Sequence, residues 1–212
     1  MNTLRGIFST TALIITVIVL LINSCQRSVP GELQVALADV KQAHAPDKRV
    51  AVFNITLSRD GNRVVVSGEV DRREYHAALF EGLKGAAGDL ELVDQVTTLP
   101  PDSLGDESFG IVSVSVAPMR AAPEVSAEMI DQAMLGTVVR ILKKENWYYY
   151  VQNWDGYLGW LSPSFFEPID SAGAEEWETA ARVVVTGNYG VVRAAANSGS
   201  TILSDLVPGA VL

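Results

Sequence analysis

The side chains able to do chemistry in this chain are few and far apart. Among 212 residues there is one cysteine, Cys25, and there are two histidines, His44 and His76. A thiolate nucleophile needs a base within hydrogen-bond reach, and no Cys–His arrangement for nucleophilic catalysis exists in these residues. His44 and His76 stand as singletons with no ligand at metal spacing, so neither a metal nor another cofactor is expected. Glu124, Glu128 and Asp131 cluster, but in a polar stretch that reads as a solvated loop. The sharper signal is the aromatic run Trp147-Tyr148-Tyr149-Tyr150. Strand alternation sends Trp147, Tyr149 and Val151 to one face and Tyr148 and Tyr150 to the other. One set must be core; the other packs on a neighbouring domain or stacks on a ligand.

These residues sit in a segment, Gly110 to Trp160, with strand periodicity. Val112, Val114 and Val116 alternate with Ser113 and Ser115, the pattern of a half-buried strand. Met119-Arg120 leads into a long polar loop with Pro118 and Pro123. Two more strands are predicted, Gly136 to Leu142 and Trp147 to Gln152, separated by a turn at Lys143 to Asn146. Asp155-Gly156-Tyr157-Leu158-Gly159-Trp160 forms a tight turn into a last short strand, with Asp155 suited to cap it. Short strands with turn residues at regular spacing describe a small β-barrel over residues 110–169.

The same residues, above all Asp155 to Trp160, resemble the bacterial SH3 domain found upstream of NlpC/p60-type cell-wall cysteine peptidases, which cut peptidoglycan stem peptides beside a γ-D-glutamyl residue. The stretch 182–212 looks like the first half of a second such barrel. There Gly187 to Arg193 repeats the opening of the first, with Arg193 matching Arg120, and Leu206 to Gly209 echoes Met134 to Gly136. In the family a papain-like domain with an Asp-Cys-Ser nucleophile and two histidines follows; it is absent here. The resemblance therefore implies the recognition part of a peptidase without its catalytic domain. It also implies that Arg120, Asp155, Tyr157, Tyr148 and Tyr150 face a substrate pocket or a domain interface, with stem peptides as the partner. Relatives can place an acid just before the loop proline to hold a substrate amine; this chain has Ala122 there.

The amino end points to the envelope. About twelve apolar residues between Thr11 and Ile22 are too few for a spanning helix, which needs roughly 20, and suit a secretory signal over residues 1–24. Leu21-Ile22-Asn23-Ser24-Cys25 resembles the lipobox of bacterial lipoproteins, which implies lipidation of Cys25 and a membrane anchor. Gln26 rather than aspartate follows, so retention at the inner membrane is not indicated and the outer membrane or periplasm of a Gram-negative cell is expected. The net charge of −9 disfavours nucleic acid, because no basic stripe is present to displace phosphate counterions.

Between signal and barrel, residues 29–99 predict an α+β module. Leu33, Ala36, Leu37 and Val40 share a helical face. Ala51, Phe53, Ile55 and Leu57 alternate in a strand, Asp60-Gly61-Asn62 is a hairpin turn, and Val64, Val66 and Val70 align in the return strand. Asp71 suits the cap of a second helix carrying Tyr75, Leu79 and Leu83, and Leu90 to Thr98 is a third strand. The order α-β-β-α-β is similar to the small periplasmic BON domain, implying an adaptor module or a phospholipid reader. Residues 100–109 and 170–181 read as linkers. Two functions stay open: the recognition part of a wall peptidase, or a non-catalytic lipid-anchored adaptor binding wall peptide or a protein. Arg182 to Leu212 is too short to bury a core by itself, so little amide protection is expected after Glu178.

Overall fold

Apolar residues three and four apart make Gly31–His44 a helix, α1, and its predicted stripe is the one that turns inward, with Leu33 fully buried. The computed structural model describes residues 28–212; the expected signal and Cys25 lie outside the described residues. The protein is mixed α+β and mostly strands. Strands β1 (Phe53–Asp60) and β2 (Arg63–Val70) form an antiparallel hairpin. Helix α2 (Arg73–Ala87) then crosses over to β3 (Glu91–Thr98), which lies parallel to β2. A parallel neighbour requires such a crossover, and both helices cover the apolar face it creates. Leu33, Phe53, Val64, Val66, Leu79 and Leu83 centre this core. The expected order α-β-β-α-β is thus the observed one.

The second unit is a seven-stranded sheet in the order β10-β4-β7-β8-β9-β5-β6. Its strands are β4 (Phe109–Val112), β5 (Val116–Arg120), β6 (Met129–Met134), β7 (Val138–Glu145), β8 (Tyr148–Gln152), β9 (Leu158–Leu161) and β10 (Phe166–Ile169). Val112, Met119, Ile141, Val151, Leu161 and Phe166 fill the interior.

Several expectations are corrected here. The alternation of Val112, Val114 and Val116 does not continue as one strand. The chain bends at Ser113–Ser115, and the phase reverses so that Ser115, Ala117 and Met119 point inward. The polar loop after Arg120 is shorter than its composition suggested, because Met129–Met134 pairs with β5. The turn before the aromatic run is not Lys143–Asn146 but Asn146-Trp147, with φ of 47° and 66°. Two left-handed residues match the twist of flanking strands, so β7 and β8 continue right up to them. Of the two faces left open, that of Tyr149 and Val151 is the inner one, but Trp147 lies in the turn and is 80% exposed.

The segment 170–181 is not an extended linker. Asp170 Oδ1 accepts from Gly173 N and caps the helix α3 (Ser171–Thr179). From α3, Trp177 Nε1 donates to Gly136 O at 2.9 Å. Beyond it β11 (Gly190–Arg193) pairs with β12 (Ile202–Leu206), and Val211 N donates to Leu135 O of the barrel. The C-terminal segment is therefore seated on the barrel. Asp71 is no cap either. It is buried, and its Oδ1 accepts from Val52 N while Arg72 occupies the cap position of α2.

The stretch 100–109 connects two units that pack directly on each other. Val52 and Leu99 of the module and Leu142 and Leu158 of the barrel form a third buried cluster, with Tyr150 packed against it. Lys143 Nζ meets Glu69 Oε2 at 2.6 Å, and Arg140 donates to the carbonyls of Asp71 and Leu99. Leu158 N donates to Arg49 O, and Gln152 Nε2 to Val50 O. Among the described residues no helix is long and apolar enough to cross a membrane.

Candidate functional site

Where β5, β6 and β9 meet the entry to β1, a cleft of about 550 Å³ opens. Lys48 and Arg49 line it from the module; Arg120, Glu128, Met129, Ile130, Tyr150 and Tyr157 line it from the barrel. Three of the residues singled out from sequence, Arg120, Tyr150 and Tyr157, therefore meet in one place. The other two do not. Asp155 spends its Oδ1 on Tyr157 N, tightening the turn, and Tyr148 pairs across the hairpin with Glu145.

Each member of the cleft is held differently. Arg120 Nη1 donates to Ala127 O at 2.7 Å, closing the loop between β5 and β6. Arg193 Nη1 donates to Ser200 O at 2.8 Å in the same way. Arg120 thus shapes the cleft wall by fixing a loop, and it reaches that carbonyl with the geometry its counterpart uses. Arg49 forks onto Asp47, with Nε at 3.0 Å from Oδ1 and Nη2 at 2.6 Å from Oδ2. That guanidinium holds the Asp47 carboxyl down at about 2. The same Arg49 lies 5.7 Å from the centroid of the Tyr157 ring, a cation–π contact that orients the phenol. Tyr150 packs at 4.9 Å from Trp160, with Lys143 over both rings.

Burial, and then the carboxylates of Asp71 and Glu69, push the Tyr150 phenol above its ordinary 10.0. The folded chain therefore holds this proton more tightly than the unfolded chain does. Its stabilising contribution is complete below pH 10 and is lost as pH rises through the raised value. Urea midpoints taken from pH 8 to pH 11 should fall more steeply for the native chain than for Tyr150→Phe. Parallel curves would show that this phenol is not coupled to folding.

Neither histidine lines the cleft. The His44 ring lies 6.4 Å from that of Tyr75, tilted by 56°, and His76 Nε2 lies 2.9 Å from Asp94 Oδ2, both within the module. Cations at one wall, a carboxylate from Glu128 and an apolar floor suit a short peptide bearing charged ends. Sequence reasoning missed Lys48, Arg49, Glu128, Met129 and Ile130 as site residues. Lys48 and Arg49 lie outside the barrel pattern, and β6 had been read as loop; only its Met129-Ile130 pair hinted at a strand.

The model of the bacterial SH3 domain family matches residues 115–167, from β5 to the start of β10, and includes the barrel wall of the cleft. Domains of this family are commonly cell-wall binding modules, which is consistent with recognition of peptidoglycan. No curated protein matches this chain.

Proposed function

We propose, from the bacterial SH3 domain at residues 115–167, that this chain is the recognition part of a cell-envelope cysteine endopeptidase of the NlpC/p60 type. In this reading the cleft takes the peptide stem of peptidoglycan, Cys25 carries a lipid that holds the chain at the membrane, and the module at residues 29–99 is BON-like and acts as an adaptor. The supporting observation is the convergence of Arg120, Tyr150 and Tyr157 with Lys48 and Arg49 from a different unit. Two units that share a cleft present a ligand with surfaces neither has alone. Charged peptide ends then meet Lys48 and Glu128, while Tyr157 offers a ring face and a hydroxyl.

The test is titration of the tripeptide L-Ala-γ-D-Glu-diamino acid against the chain, followed by calorimetry or by amide shifts at the cleft. Tyr157→Ala and Lys48→Ala should each weaken binding about tenfold, or ~1.4 kcal/mol. Tyr148→Ala, outside the cleft, should not. An absence of binding to the unaltered chain, or equal losses for Tyr148→Ala and Tyr157→Ala, would overturn the assignment. Incorporation of a fatty-acid label that survives Cys25→Ala would overturn the anchoring part alone.

A further inference from the structure

Residues 182–212 repeat most of the backbone pairing of residues 109–139 at a constant spacing of 73, the distance from Arg120 to Arg193. Arg120 pairs with Met129 across the first hairpin and Arg193 with Ile202 across the second, each beside a register shift. Gly136 N donates to Val112 O, and Gly209 N to Val185 O; Val112 N donates to Thr137 O, and Val185 N to Ala210 O. Ile111 pairs with Val138, and Val184 with Val211. Gly136 and Gly209 both have positive φ, 79° and 91°.

What differs is the covering. In the first copy, β7 to β10 close over the inner face, and Val112, Met119 and Val139 are fully buried. In the second copy the matching positions are Val185, Val192 and Leu212, none of them buried, and Leu212 is 41% exposed. Exposure in itself does not mark this face. Ile202 and Leu203 are also exposed, but so are their counterparts Met129 and Ile130, which face away from the interior in the finished barrel. Val112, Met119 and Val139 are inner-face positions whose counterparts lack cover, whereas Ala133 keeps a buried counterpart in Leu206.

One position specifies the occupant further. Gly110 lies beneath the Phe166 ring so closely that a Cβ there would fall 2.3 Å from Cδ2. Its counterpart is Val183, 65% exposed. A phenyl ring in Phe166's place would therefore collide with the valine side chain. An exchange of Gly–Phe for Val–small keeps the volume roughly constant, the kind of swap a core tolerates.

We infer that the open face of residues 182–212 is a docking surface for a strand-bearing polypeptide segment patterned like Arg140–Ile169, with a small residue where that segment has Phe166. The incoming segment extends the Val211-Leu212 strand, pairs with the free edge of residues 183–185, and covers Val185, Val192 and Leu212. This inference is independent of what the cleft binds.

The full chain extended after Leu212 by a copy of its own Arg140–Ile169 tests it, with the copy either unaltered or carrying Phe166→Ala. A free peptide of each sequence, added in trans, guards against a failure of the fused chain to fold. With Phe166→Ala, amide exchange at Val185 and Val192 should slow about a hundredfold relative to the unextended chain. The unaltered copy should protect these amides far less. Equal exchange in the extended and unextended chains, together with no effect of either peptide, overturns the docking surface. Equal protection by both sequences overturns the small-residue requirement. A concentration-dependent dimer of the unextended chain that protects the same amides would give the face to a second copy and overturn the proposed occupant.

Discussion

Leu142→Asp should split the unfolding of this protein into two transitions. Leu142 is fully buried, but not in the barrel interior; it packs with Val52, Leu99 and Leu158 between module and barrel. Its neighbour Ile141 faces the barrel core, and the register of β7 against β8 shifts between Ile141 and Lys143. That shift leaves Leu142 as the extra residue of a bulge, available to the other unit. Removing the isobutyl group alone costs about 2–5 kcal/mol at a site of this burial. A carboxylate there has no partner and costs more, so separation of the units is the less expensive state. The module and the barrel each keep their own core, so neither should unfold outright. Calorimetry checks this, with amide exchange at Leu158, whose N–H reaches Arg49 O across the junction, as the local readout. A single transition with Leu158 still protected would mean that the polar contacts of Lys143 and Arg140 hold the junction by themselves.

Gly136→Ala should release the C-terminal hairpin from the barrel. Gly136 has φ of 79°, where an L side chain is already strained. A Cβ at this position falls 2.1 Å from the carbonyl oxygen of Val211, a backbone atom that no rotamer change can move. The hydrogen bond from Val211 N to Leu135 O and that from Trp177 Nε1 to Gly136 O should both be lost. Val211 should exchange at least tenfold faster, and protease should cut near residues 180–190. Gly209→Ala is the contrast. It too has positive φ, but its Cβ would meet only the flexible end of Met134 at 3.0 Å. Equal behaviour of the two variants, or an unchanged Val211 amide in Gly136→Ala, would show that the seating of the hairpin does not depend on this approach.

The module was legible because each of its elements has one apolar face and an unbroken period. Leu33, Phe53, Val64 and Leu79 follow their helix or strand repeat, and burying that repeat leaves only one way to stack two helices on three strands. The correspondence of Arg193 with Arg120 was legible for a similar reason, since both lie in the same local run of strand and turn residues. A period states which face is apolar and not what covers it, and the rest of the protein turns on that second question. Leu99 reads as the last residue of the module, yet its cover comes from Leu142 and Leu158, on a strand pair far along the chain. Alternation groups Trp147 with Tyr149 and Val151, but the two-residue turn at Asn146-Trp147 takes its conformation from the twist of β7 and β8 and carries the ring into solvent. Tyr150 stands out through the aromatic run and Tyr157 through the motif Asp155 to Trp160. Lys48 and Arg49, about a hundred residues earlier, carry no local sign of belonging with them; the burial of Val52 against Leu158 brings them to the same cleft. Local repeats determined the elements and their inner faces. Only the packing of one unit on another decided which outer faces became a junction, a cleft or an uncovered surface, because that choice depends on contacts between residues remote in sequence.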